Sequence, residues 1–352
     1  MKKAVSLLIL AAMILTLSAC GQQAPSSADA PPADAAPAPA ATAAPAPQEA
    51  EAPNSVQEVN WPTAPITLIV SGAAGGGIDN QARVYAKYLE QALGVSIVVQ
   101  NESNTAAYQS LKSAQNDGYT FLFTSAAFFI QDGLGALGYT FDEGCEAATV
   151  FSTSGTNGLY ARADGKYKAF EDFINDVQAN PGDVQLGIAA ATYFHVFPAA
   201  MEKELGIDYD MIDAGTDNER TLSLVGGQID IISSQYSNAI RPYVESGEVV
   251  CLAIAQDERN AALPEVPTMK ELGYDFSFPG QLMFVVAPKG TDTAILNKLS
   301  DAVNSFLENA DYLADMANLG VEPFAPMTHE ETQALMIQLR ETFVEATQLI
   351  IE

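Results

Sequence analysis

The sequence predicts an α/β protein of two domains, the second inserted into the first. Three observations predict it. Short apolar, β-branched runs alternate with amphipathic segments of helical period along most of the chain. Beyond a low-complexity stretch that ends near Val59, roughly 290 residues remain, which suits two hydrophobic cores better than one. The strand-like runs also end in glycine or small hydroxyl residues, as the strand-to-helix corners of such folds do.

The elements follow in order. Ile66 to Val70 is a buried strand, and the turn Ser71-Gly-Ala-Ala-Gly-Gly-Gly77 follows it. Asp79 stands where a helix N-cap belongs. The helix over 80–93 carries Ala82, Tyr85, Ala86, Leu89 and Leu93 on one face, with Gly94 as its stop. A strand at 96–100, a helix near 105–115 and a strand at 119–124 complete a βαβαβ series. That series calls for a parallel sheet with right-handed crossovers.

Thr149 to Ala161 reads as one extended stretch leading into the second domain. There, helices are expected at 169–179, 194–205, 217–225 and 237–246, and strands at 184–189, 209–213, 229–233 and 249–255. An apolar strand at 282–287 returns to the first domain. Helices over 292–308, 311–319 and 328–350 close the chain, the last opened by the capping box Thr328-x-x-Glu331.

The N-terminus addresses the chain to a membrane. Met1-Lys2-Lys3, the apolar run Ala4 to Leu17, and Leu17-Ser-Ala-Cys20 make a secretory signal ending in a bacterial lipobox, with Cys20 as the lipidated residue. Residues 21–59 are Ala/Pro-rich and carry too few apolar side chains to offset ordering entropy, so they read as a disordered tether. Extended as polyproline II at about 3.1 Å per residue, Gln22 to Asn60 would reach roughly 120 Å. The expected organisation is a signal peptide at 1–20, the tether, a first lobe of 60–155 plus 280–352, and a second lobe of 156–279. Cys145 and Cys251 are expected as two buried thiols, a disulfide being the less favoured alternative. A net charge of −28 excludes nucleic-acid binding, which needs a basic footprint.

The glycine turn is the leading candidate site, because it feeds bare backbone amides into a helix N-terminus, where anions bind. It matches neither G-x-G-x-x-G nor a phosphate loop, and no lysine appears in the segment until Lys87. A carboxylate suits such a nest better than a nucleotide. Other strand ends could converge on the same cleft: Asn104 or Thr105, Ser125, Thr192-Tyr193 and Thr216-Asp217. For each, plain helix capping competes with ligand contact. Arg83 and Arg241 could offset a ligand charge or make structural pairs. Catalysis finds no support: His195 and His329 are the only histidines, and G-x-S-x-G, H-E-x-x-H and C-x-x-C are all absent.

Several separate motifs together carry a resemblance. Trp61-Pro-x-x-Pro-Ile-Thr-Leu-Ile-Val, Ala-Ala-Gly-Gly-Gly-x-Asp-x-x-Ala-Arg83, Val98-Val-x-Asn101 and Asp117-Gly-Tyr-Thr-Phe-Leu122 form one group. Ala179-Asn-Pro-Gly182, Leu224-Val-Gly-Gly-Gln-Ile-Asp-Ile231, Leu263-Pro-Glu-Val-Pro-Thr268 and Ala287-Pro-Lys-Gly290 form another. The chain from Trp61 onward resembles the Bug family, the TctC-like extracytoplasmic solute receptors of tripartite tricarboxylate transporters.

The resemblance implies a type II periplasmic-binding-protein fold, two α/β lobes joined by two crossing strands with a ligand cleft between them. It implies a monomeric receptor, without cofactor or metal, that delivers a small carboxylate to membrane transporter subunits. The ligand could be a di- or tricarboxylate, an acidic amino acid or an aromatic acid. Its implied contacts are Ser71, Ala74, Gly75, Gly76, Gly77 and Asp79 in the loop, with Ser125, Thr192, Tyr193, Thr216 and Asp217 around it. Two departures stand out: Ile78 replaces a family hydroxyl residue, and Asp217 adds an acid that disfavours a trianion or welcomes an amino group. A ligand-sensing module for a receptor kinase is the alternative, and an anchored hydrolase a remote one.

Overall fold

The computed structural model describes residues 59–351, apart from 155, 156 and 261. The expected signal peptide, Cys20 and nearly all of the tether lie outside the described residues. The chain begins with β1 (Ile66–Ser71), α1 (Gly77–Leu93), β2 (Ile97–Glu102), α2 (Asn104–Ser113) and β3 (Thr120–Ser125). Two short helices, α3 (Ala127–Gly133) and α4 (Phe141–Gly144), precede β4 (Cys145–Ser154). A second set runs β5 (Asn157–Arg162), α5 (Phe170–Ala179), β6 (Gln185–Ile188), α6 (Tyr193–Leu205) and β7 (Asp210–Asp213). It continues with α7 (Asp217–Val225), β8 (Ile231–Gln235), α8 (Arg241–Glu245) and β9 (Val249–Ile254). The chain closes with β10 (Gln281–Pro288), α9 (Thr293–Asn304), α10 (Ala310–Leu319), β11 (Glu322–Pro323) and α11 (His329–Gln348).

These strands form two sheets, ordered β11-β4-β10-β3-β1-β2 and β7-β6-β8-β5-β9. The chain leaves the first sheet after β4 and returns to it at β10. The parallel pairing expected of the first series holds for β2-β1-β3, and β7-β6-β8 is parallel as well. The remaining pairs are antiparallel: β10 with both β3 and β4, β11 with β4, and β5 with both β8 and β9. β4 carries the chain out of the first sheet and β10 brings it back alongside, in the opposite sense.

The single stretch expected over Thr149–Ala161 is two strands in different sheets, β4 and β5. The helix expected over 237–246 is short, because Pro242 enters its first turn and the backbone from Ser237 to Ile240 turns first. The helices α3 and α4 carry little amphipathic pattern and were not expected.

Both faces of the first sheet are covered, which explains why its strands read as continuous apolar runs. On β3, Phe121 and Phe123 face one cluster and Leu122 the other; Met283 and Val285 against Phe284 and Val286 divide β10 in the same way. On the first face, the Tyr85 ring of α1 packs against Phe123 and Phe151 at 5.6 and 5.2 Å. On the other, Phe343 of α11 meets Tyr193 of α6 at 6.0 Å and Phe278 at 5.5 Å. Helix α11 thereby joins an element following the first sheet to one that packs with the second.

Cys145 and Cys251 are separate free thiols, one in each sheet; Cys145 is buried as expected, whereas Cys251 is only partly so. Among the described residues, no helix is long and apolar enough to cross a membrane.

Candidate functional site

A cavity of about 600 Å³ is lined from both sheets and their helices. The first sheet's side supplies Gly75, Gly77, Ile78, Gln281 and Met283, and the second supplies Phe194, Asp217, Gln235, Ser237 and Arg241. Concave space at the carboxyl ends of parallel strands is where α/β folds bind ligands.

The glycine turn is held from beneath. Asp79 is not the N-cap of α1; Gly76 is, and Asp79 sits three residues into the helix, 1% exposed. Its carboxylate accepts from the Gly75 amide at 2.7 Å, from Arg83 Nε at 2.9 Å and from Asn101 Nδ2 at 2.9 Å. Asn101 Nδ2 also donates to Gly72 O at 3.2 Å, so one acid and one amide pin both ends of the turn. Burial pushes the Asp79 pKa up, but the hydrogen bonds from Arg83, Gly75 and Asn101 outweigh it and hold the carboxyl below its ordinary value. Gly75 has φ of 78°, a conformation that costs glycine nothing.

This arrangement uses some of the turn's amides and leaves others. Gly75 donates to Asp79, and Gly76 donates back to Ala73 O at 3.1 Å. The amides of Gly77, Ile78 and Asp79, the first three of α1, find no acceptor among the described residues. A Cβ on Gly77 would meet nothing within 4 Å. The turn therefore offers unpaired N–H groups at the positive end of a helix dipole, beside open space.

The opposite wall has an internal charge balance. Asp217 follows the N-cap Thr216, whose side chain is committed to a capping box with Glu219. The Asp217 carboxylate accepts from Ser234 Oγ at 2.8 Å, from Ser237 Oγ, and from Arg220 Nη2 at 3.3 Å. Arg220 is 1% exposed; it also donates to Gly215 O at 2.9 Å and lies over the Phe194 ring at 4.7 Å. The cavity acid is thus the counterion of a buried arginine, not a free charge.

The sequence agrees with this geometry. The profile of the tripartite tricarboxylate transporter family receptor matches residues 81–351. The chain belongs to that receptor family. BugT of Bordetella pertussis is 29% identical over 272 residues, 75% of this chain and 82% of BugT. A TctC solute-binding protein from Polaromonas superposes with a TM-score of 0.72 at 24% identity, covering 82% of this receptor and 99% of that chain. MatC of Rhodopseudomonas palustris, solved with malate, gives 0.65 at 24% identity, with coverage of 83% and 100%. A further R. palustris protein, solved with adipate, gives 0.69 at 22%, covering 83% and 98%. The receptor has the two-lobed periplasmic-binding fold of these proteins, and its family is one of extracytoplasmic solute receptors, not of enzymes.

The expected contact residues divide sharply within the receptor. Gly75, Gly77 and Asp217 line the cavity. Ala74 is exposed on the turn and Gly76 is its N-cap; neither lines the cavity. Ser71 is buried and donates to Thr124 Oγ1 at 2.8 Å, while Ser125 Oγ accepts from the Ala127 amide at 3.3 Å. Thr192 caps α6 by accepting from the Phe194 amide, and Tyr193 donates its hydroxyl to Pro279 O at 2.8 Å. For these residues, capping and packing prevail over contact with the cavity. Arg83 makes its structural pair with Asp79. His195 lies off the cavity, its Nδ1 accepting from the Ala191 amide at 3.3 Å, and burial holds its imidazole below the usual value.

Sequence reasoning missed Gln235, whose side chain donates to that of Gln281 across the two sheets, and the stretch Tyr236-Ser237-Asn238. They sit at and just beyond the end of β8, without a glycine or capping signature, so nothing local marked them.

Proposed function

We propose that this receptor captures a small organic acid in the cleft between lobes of 60–155 plus 280–352 and of 156–279. It then delivers the acid, chemically unchanged, to membrane transporter subunits. The observation that carries this reading is the set of unpaired first-turn amides of α1, at Gly77 and Ile78, opening on the 600 Å³ cavity. An anion there gains oriented donors and a helix dipole without displacing an existing hydrogen bond. The malate and adipate held by structural neighbours are ligands of that chemistry.

Capture works outside the cytoplasm, at the cell surface or in the periplasm, in this reading. Lipidated Cys20 anchors a monomer to the membrane, and residues 21–59 give it reach. Ile78 and Met283 give the cavity an apolar patch suited to a methylene chain between acid groups.

A thermal-shift panel of aliphatic di- and tricarboxylates, acidic amino acids and aromatic acids tests the reading. A true ligand at a hundredfold excess over Kd adds about 2.7 kcal/mol of stability. No shift from any acid would overturn it.

A further inference from the structure

Among the described residues, Arg241, the first of α8, is the only lysine or arginine lining the 600 Å³ cavity, and it also borders an adjoining cavity of about 560 Å³. Its backbone amide donates to Ser237 O at 2.9 Å, which fixes where the side chain starts. The guanidinium lies over the Tyr236 ring, 5.4 Å from its centroid. No carboxylate pairs with it among the described residues, and Nε is buried without an acceptor. Its neighbours account for their own charges: Asp217 belongs to Arg220, and Glu245, which borders only the adjoining cavity, is not within ion-pair distance.

The space for the guanidinium is made by the opposite wall. Gly320 ends α10 with φ of 70°, and a Cβ there would come within 2.3 Å of Arg241 Nη2. An arginine held partly out of water with its fork unmatched is poised for a planar two-oxygen acceptor, the arrangement guanidinium groups satisfy best.

We propose that Arg241 is a specificity-determining residue that takes the second anionic group of a ligand whose first is held by the amides of Gly77 and Ile78. This rests on the reading of the cleft as a carboxylate site. The ligand class is a linear acid with anionic groups at both ends. An amino acid fits poorly, since the acid that would receive its ammonium is already spent on Arg220 and two serines.

Titration calorimetry of the whole receptor with succinate, glutarate and adipate, each beside its monoamide, tests the assignment. For the preferred length, the diacid should bind at least about tenfold more tightly than the monoamide. Arg241→Met should remove that preference and weaken the diacid about tenfold or more, leaving the monoamide within about threefold. Arg241→Lys should retain part of it, since charge remains but the fork is lost. Equal binding of diacid and monoamide, or an undiminished diacid affinity in a folded Arg241→Met, would overturn the role of Arg241 while leaving the cleft reading intact. Failure of wild type to bind any acid, mono- or dibasic, would instead remove the cleft reading and this proposal with it.

Discussion

Arg220 Nη2 stands 3.3 Å from Asp217 Oδ1 at the start of α7, with the arginine side chain almost wholly enclosed and the aspartate a third exposed. The acid that the sequence offered to a ligand is therefore part of the scaffold. Two serine hydroxyls, of Ser234 and Ser237, complete its coordination and tie the end of β8 to α7.

Removing Arg220 should consequently destabilise the receptor, because Asp217 would be left charged and half-enclosed beside a void. Arg220→Leu is expected to cost about 2–4 kcal/mol, at the low side of buried pairs since water still reaches Asp217. Urea unfolding measures this. A loss below about 0.5 kcal/mol would show that the pair is incidental.

Gly77 is the place to block the cleft without harming the fold. Its Cβ position is open, and it begins α1 in an ordinary conformation. Gly77→Val should abolish the ligand-induced thermal shift while changing unliganded stability by no more than about 1 kcal/mol. Gly75→Val, by contrast, forces a β-branched residue to φ of 78° and should loosen the turn itself. If Gly77→Val bound acids normally, the first-turn amides would not be the anion site.

The pinning of the turn should depend on pH through Asp79. Its pKa is lowered in the folded state, so its contribution is present above the unfolded value and lost as pH falls through the folded one. Asp79→Asn should cost about 1–3 kcal/mol at pH 7. The gap between wild type and variant should then shrink as pH drops below the ordinary carboxylate range. A gap unchanged down to pH 3 would contradict this.

The aromatic joint at Phe343 should be the costliest of these sites. Phe343 is 1% exposed and meets rings from α6 and from the segment preceding β10. Phe343→Ala is expected to remove about 3–5 kcal/mol in chemical denaturation. A cost under 1 kcal/mol would mean that the joint is easily repacked.

Much of the fold was legible because its signals are local. Gly94 stops α1 in a left-handed conformation, and Thr328 with Glu331 forms the capping box that opens α11, both where the sequence placed them. Strand runs such as Tyr119 to Thr124 announced themselves by composition, since burial on both faces demands it. The antiparallel sense of β5 and β10 was not legible, because strand direction is fixed by the neighbours a strand pairs with in the sheet, which no local pattern records. The short α8 was misjudged as well: a turn from Ser237 to Ile240 is set by hydrogen bonds that no periodicity records.

The site followed the same division. Sequence alone determined the glycine turn, the family and the class of fold, because each is written in contiguous residues or their spacing. Tertiary structure alone decided who faces the cavity. Asp79 looked like a cap and is a buried pin, and Asp217 looked like a free acid and is a counterion. Arg241, one undecided arginine among others in the sequence, is the cation without a carboxylate in the described cleft. Whether a charge is free depends on partners brought by other strands and helices, and only folding brings them within reach.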